Sequence, residues 1–317
     1  MRFVFVAALL ALLSGFATRP ADALSAKPKN ILFFVASGAS INVLTAARIH
    51  AVGEDGDLAI DTLPESAFVK TYSNNAQGGD GDAGMTAYLT GVKVNNGVGP
   101  AAPTLADLAT RRGMSAGVTT VSGAAQAIGE LSKNPQGFFL VVRDQSIGVA
   151  LQNTNARRAL DAYVLFDNAL RAAIAQMRAI DPGLDNTLIV ATSDHERPML
   201  LNGYSRRTGK TTVTQAGVLG LIHREGDGQV RRDLDGAPMT IIGFGTGPNR
   251  VQGKRSAALT VAIVSADDYQ QEAVVRATAG NGGGDVFLGA VGAGARAFHG
   301  TIDNTQVFAI IKAAAGL

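Results

Sequence analysis

The sequence predicts an α/β fold: a three-layer sandwich in which helices cover both faces of a central, mostly parallel sheet. Two observations carry that prediction. Residues 31–36 form a short, almost purely apolar run ending in a small-residue turn, the pattern of a strand buried on both faces. Similar runs then alternate with segments in which alanine and leucine recur three and four residues apart, and strand alternating with helix implies a parallel sheet covered on two sides. In chain order, strands are predicted at 31–36, 68–72, 115–119, 137–142, 186–192, 239–244 and 285–288. Helices are predicted at 41–51, 83–90, 104–111, 154–180 and 301–314. Functional groups in such sheets gather where strands end, so the residues after each strand are the candidates. The stretch 202–253 is rich in glycine and charge and reads as an irregular excursion from the core.

Arg2 supplies a positive n-region, residues 3–16 an apolar h-region, and Ala21-Asp22-Ala23 a small-x-small cleavage site. The expectation is a signal peptide over 1–23, cleaved after Ala23, and a periplasmic or secreted chain whose residues 24–317 form a single domain. The apolar run is shorter than the roughly 20 residues that span a bilayer, so no membrane span is expected. With 28 basic and 26 acidic residues scattered along the chain, a formal charge of +2 gives no face that points to nucleic acid. The absence of cysteine excludes disulfides and thiolate chemistry. No partner is named by these features.

Five blocks in order carry a resemblance. They begin with Lys29-Asn30-Ile31-Leu32-Phe33-Phe34-Val35-Ala36-Ser37-Gly38, followed by Thr45-Ala46-Ala47-Arg48-Ile49. Lys70-Thr71-Tyr72, Asp80 and Thr86-Ala87-Tyr88-Leu89-Thr90-Gly91-Val92-Lys93 come next, then residues 131–142 with Phe166-Asp167. Residues 186–195, ending Ser193-Asp194-His195, and Asp285-Val286 with Phe298-His299-Gly300 complete the set. Together they resemble the alkaline phosphatases. The resemblance implies that family's fold and a reaction in which a serine between two zinc ions, with magnesium nearby, is phosphorylated and then hydrolysed. It also leaves a homodimer open.

Carried over position by position, the resemblance implies a loss. The nucleophilic serine should follow Asp80, and Gly81 stands there; Asp82, one position on, is a carboxylate in a different register. The metal-bridging aspartate falls on Ser37, the magnesium glutamate on Arg143, a zinc aspartate on Gly148, and histidines on Gln152 and Asn281. Only Asp194 and His195 remain of the metal set, and two adjacent ligands do not make a zinc site. No cofactor is therefore expected, and the leading reading is a pseudoenzyme with a binding or structural role in the cell envelope. Two alternatives stay open: a weak metal-dependent phosphatase using Asp194, His195, Asp80 and Asp82, and an anion-binding module built on Arg143. A buried Asp194 without metal needs another cation, so Arg143 is expected to pair with Asp194 or Asp80. Thr208-Gly209-Lys210-Thr211 and the glycines at 280–284 resemble phosphate loops but read better as turns. His50 and His223 have no partners at ligand spacing.

Overall fold

The computed structural model describes residues 27–101, 103–203, 205–234, 236–247, 274–275 and 277–317. The signal-peptide reading therefore lies outside the described residues, as do positions 248–253 of the excursion. The first half runs β1 (Asn30–Ala36), α1 (Ile41–Val52), β2 (Glu65–Lys70), α2 (Gly81–Thr90), α3 (Leu105–Arg111), β3 (Ser115–Thr119), α4 (Ala124–Leu131) and β4 (Phe138–Asp144). It continues with α5 (Ser146–Gln152), α6 (Ala156–Ile180), β5 (Thr187–Thr192), β6 (Met199–Leu201), β7 (Ile242–Phe244), β8 (Thr246–Gly247) and β9 (Val274–Val275). β10 (Val286–Gly292), β11 (Gly300–Asp303) and α7 (Asn304–Ala315) close the chain.

Seven strands form one sheet in the order β11-β2-β10-β5-β1-β4-β3, and only β10 pairs antiparallel to its neighbours. The expected mostly parallel sheet is present. β1 sits in its middle and divides its side chains by the two-residue strand period. Leu32, Phe34 and Ala36 join Val43, Ile128, Ile147 and Phe166 on the face covered by α1, α4, α5 and α6. Ile31, Phe33 and Val35 join Tyr88, Leu105 and Ile311 on the face of α2, α3 and α7. Edge-to-face contacts at 5.9 Å (Phe34–Phe166) and 5.4 Å (Phe33–Tyr88) fix the two layers on β1. Each such buried aromatic contributes on the order of 2 kcal/mol.

Several boundaries differ from the sequence reading for local reasons. The helix expected from 154 begins at Ala156, because Thr154 holds a left-handed backbone (φ 53°) and Asn155 caps the helix by accepting from Arg158 N. Residues 301–303 are strand, and the helix starts behind a capping box of Asp303 and Gln306. The strand expected at 68–72 is displaced toward the N-terminus, to 65–70, and the one expected at 239–244 shortens to β7, which pairs with β6 outside the main sheet. Short helices α4 and α5 were not expected.

The described part of the excursion is held to the core by Val218, Ile222 and Ile241 and carries isolated bridges such as Leu221 with Thr240. Its loop at 208–211 is not open to a phosphate: the Thr208 and Gly209 N–H groups donate to the Glu54 carboxylate at 2.7 and 3.1 Å. His50, without a partner at ligand spacing along the chain, finds two far away in sequence: its ring lies between Asp161 (2.8 Å) and Thr211 (2.9 Å). His223 Nδ1 lies 2.9 Å from the Gly228 carbonyl. Among the described residues no helix is long and apolar enough to cross a membrane.

Candidate functional site

Parallel pairing brings three strand ends to one edge. Val35 is in register with both Arg143 and Thr192, so Ser37, Arg143 and the Ser193-Asp194-His195 turn emerge side by side. α2 closes the site from the other face. A Cβ on Gly84 would lie only 2.1 Å from the Asp194 carbonyl oxygen, so the helix reaches the turn because that position has no side chain. One turn on, the buried Tyr88 hydroxyl donates to the Ser193 carbonyl at 2.7 Å, and burial raises its pKa. Tyr88→Phe should leave that carbonyl with only the long 3.5 Å contact from the Thr192 hydroxyl and lower stability by about 1 kcal/mol in a urea titration.

At the centre is Asp194, with no exposed surface. Its Oδ1 faces His195 Nδ1 at 2.7 Å and accepts from Gly38 N at 3.2 Å. Its Oδ2 accepts from Arg143 Nη2 at 2.7 Å and Nε at 3.2 Å, and the Ser37 hydroxyl lies 2.9 Å from Oδ2 and 3.1 Å from Oδ1. Burial works against the charge on this carboxylate, but His195 and Arg143 outweigh it and hold the group well below the usual carboxylate range. Arg143 Nη2 also donates to the Gly81 carbonyl at 3.2 Å, so the guanidinium joins the strand edge to the first turn of α2.

The expected pairing of Arg143 is therefore present with Asp194 and not with Asp80. Asp80 caps α2: its Oδ1 accepts from Asp82 N and Ala83 N, and its Oδ2 from Gly97 N at 2.6 Å. Asp82 is exposed on the first turn. Gly148 packs on Ser37, where a Cβ would lie 3.0 Å from the Ser37 carbonyl oxygen. The Gln152 carbonyl accepts from Ala279 N at 3.0 Å, and Asn281 is exposed. The glycine loop beside Asn281 is filled from within: Gly284 N donates to the Glu196 carboxylate at 3.2 Å, and a Cβ on Gly282 would lie 1.6 Å from its Oε1.

The decisive geometry is at Gly81. A Cβ there would lie 2.5 Å from Arg143 Nη2, 3.3 Å from Asp194 Oδ2 and 3.6 Å from Ser37 Oγ. Any side chain at this position would point into the space that the guanidinium holds. The donor set does not fit the zinc and magnesium that the resemblance implies. Both Asp194 oxygens are engaged, the bridging position offers a hydroxyl, and the Arg143 guanidinium touches the Asp194 carboxylate. Among the described residues no group of three or more histidine, aspartate or glutamate side chains could hold a metal ion.

Sequence reasoning missed Arg197. Its Nη1 donates to the Ala279 carbonyl at 3.1 Å, its Nε is buried without a partner, and burial lowers its pKa against the pull of Asp194. No motif marks it. Gly38, which supplies an N–H to Asp194, was more visible, because it stands in the small-residue turn that ends β1 and adopts φ 81°.

Similarity to known proteins agrees with this architecture. The alkaline phosphatase family profile matches residues 28–125 and 122–317. The rat tissue-nonspecific alkaline phosphatase is 45% identical over 83 residues, 24% of this chain and 16% of that protein. The cod alkaline phosphatase is 42% identical over 77 residues, 22% and 16% of the two chains. These matched stretches therefore span about a sixth of the curated relatives' length. Among solved structures, the alkaline phosphatase of the Antarctic bacterium TAB5 superposes with a TM-score of 0.63 at 15% identity, covering 92% of this chain and 98% of that one. The Thermus thermophilus alkaline phosphatase gives 0.61 at 18% identity, covering 98% and 96%. Likeness at that identity speaks to the fold, and with a profile that runs through nearly the whole described chain it leads to one assignment: the chain belongs to the alkaline phosphatase family.

Proposed function

We propose that this chain is an exported, non-hydrolysing member of its family, a pseudoenzyme that acts in the periplasm or outside the cell as a binding or structural protein. The observation that carries the reading is the occupied space at Gly81. The residue has no side chain to phosphorylate, and the volume that one would need lies 2.5 Å from the Arg143 guanidinium. A phosphoryl transfer needs a nucleophile in line with its target and charge stabilisation on both the attacking and leaving oxygens. Here the nucleophile is missing and the nearest strong cation is committed to Asp194. Loss of a nucleophile alone lowers a hydrolase's rate constant on the order of a million-fold in a well-studied case. The export part of the reading rests on Arg2, the apolar run and the Ala21-Asp22-Ala23 site.

The purified mature protein, assayed with a phosphomonoester in the presence of added zinc and magnesium, should give no saturable turnover. Robust turnover, with kcat above that of a buffer blank and abolished by chelator, would refute the reading. Restoring the hydroxyl alone should not help. Gly81→Ser is expected to remain inactive and to unfold at lower temperature than the parent, because the new Cβ displaces Arg143 from its carboxylate. A Gly81→Ser protein with measurable phosphatase activity would count against the proposed loss.

A further inference from the structure

Asparagine followed by glycine occurs at Asn96-Gly97, Asn202-Gly203 and Asn281-Gly282. In such a pair the side-chain amide carbon can be reached by the next backbone nitrogen, and glycine puts no side chain in the way of their approach. Ring closure between them needs a glycine N–H free to lose its proton and an amide free to turn toward it. The fold meets those demands unequally. At Asn96 both ends of the amide are held, Oδ1 accepting from Asp80 N at 3.1 Å and Nδ2 donating to the Gly78 carbonyl at 2.9 Å. Gly97 N is tied as well, donating to Asp80 Oδ2 at 2.6 Å. Asn281 is exposed, but Gly282 N donates to the Glu196 carbonyl at 2.9 Å, and the Glu196 carboxylate fills the space beside that glycine. Asn202 and Gly203 are both exposed, Gly203 N has no partner among the described residues, and a Cβ there would meet nothing within 4 Å. A single bond holds the Asn202 amide, from Nδ2 to the Thr240 carbonyl at 2.9 Å.

We propose that Asn202 is a self-modification site, at which the folded protein deamidates while the other two asparagine-glycine pairs are protected. Gly203 N gives its proton to solvent hydroxide and bonds to Asn202 Cγ; the bond from Cγ to Nδ2 breaks and ammonia leaves. Water then adds to one of the two carbonyls of the cyclic imide and opens it to aspartate or isoaspartate. The sum is one amide and one water giving one carboxylic acid and one ammonia, with no other reactant. This chemistry is the same whether or not the chain hydrolyses a phosphate ester. Its product falls where a charge matters, because Asn202 closes the β6–β7 pair, its backbone N donating to the Ile241 carbonyl at 2.7 Å and its amide to that of Thr240. A carboxylate has no proton to donate to Thr240 and sets one acceptor against another. Isoaspartate also lengthens the backbone by one carbon at the end of the ladder. Modification therefore loosens the excursion where β6 and β7 hold it.

The test incubates the purified protein in mildly alkaline buffer, folded and in urea, and follows each asparagine by mass spectrometry of its peptide, with chromatography separating aspartate from isoaspartate. In the folded protein Asn202 should deamidate at least about tenfold faster than Asn96 or Asn281, whose reaction waits on local opening. In urea the three rates should fall within about threefold of one another, because the protection is lost with the fold. Gly203→Ala, for which the structure has room, should slow the reaction about tenfold without lowering the unfolding temperature, since the added methyl hinders only the attack. Asn202→Asp should unfold at lower temperature than the wild type, and equal stability would overturn the loosening of β6–β7. Equal rates at the three pairs in the folded protein, or modification of Asn96 or Asn281 ahead of Asn202, would overturn the site itself. So would a rate at Asn202 that urea raises more than about tenfold, because the fold would then be protecting that pair too.

Discussion

Asp194→Ala is expected to lower the free energy of unfolding by about 3–5 kcal/mol, because it leaves the Arg143 charge half-buried without its counter-ion. It also strands three other donors, the Ser37 hydroxyl, Gly38 N–H and His195 Nδ1, all on buried residues. A urea titration at neutral pH measures the loss. The double variant Arg143→Ala with Asp194→Ala should cost far less than the sum of the two single changes, since the second removes a charge that the first had already orphaned. Additive losses would show that the pair is not the source of the effect. The pH dependence follows from the direction of the shift. A carboxyl held below its unfolded value of about 3.9 contributes stability that is fully present above that value. That contribution is lost as pH falls through the lower, folded-state value, so the wild-type advantage over Asp194→Ala should persist through mildly acidic buffer and shrink only below about pH 4.

Gly84→Ala is the second large effect, and its sign is the informative part. In the middle of a helix this change ordinarily stabilises by up to about 1 kcal/mol. Here the new Cβ would meet the Asp194 carbonyl oxygen at 2.1 Å and its carbonyl carbon at 2.9 Å, backbone atoms that cannot swing away as a side chain would. α2 must then move off the strand edge, and the expected loss is about 3 kcal/mol, at the upper end for an overpacked contact. Gly129 in α4 supplies the control. The nearest atom to a Cβ there is the Gln176 side-chain nitrogen at 3.8 Å, so Gly129→Ala should be neutral or stabilising in the same titration. Equal effects at the two positions would mean that α2 is not seated as described.

The sheet was legible because its central strands are apolar on both faces, and 31–36 and 186–192 lie within a residue of where the backbone pairs. The edges were less so. β2 begins Glu65-Ser66-Ala67, where a half-buried glutamate and an exposed serine precede one small buried residue, and β11 has only four residues, the last of them the capping aspartate. At the site, the residues that ring Asp194 from β1, β4 and β5 were predicted because parallel strands deliver their ends to one place. The choice between Asp194 and Asp80 as partner of Arg143 was not, although Asp80-Gly81-Asp82-Ala83 carries a helix N-cap pattern that would have assigned Asp80 to its own backbone. Arg197 reaches Ala279 across 82 positions, and neither residue belongs to a motif.

The contact between Arg143 Nη2 and the empty side-chain position of Gly81 ties the identities of the two residues to each other. Serine cannot be introduced at position 81 first, because its side chain would collide with the arginine. Nor can the arginine be lost first, because the buried Asp194 would then lose its guanidinium partner. A side chain at 81 is opposed by Arg143 and the loss of Arg143 is opposed by Asp194, so these three positions lock one another's identity against change one substitution at a time.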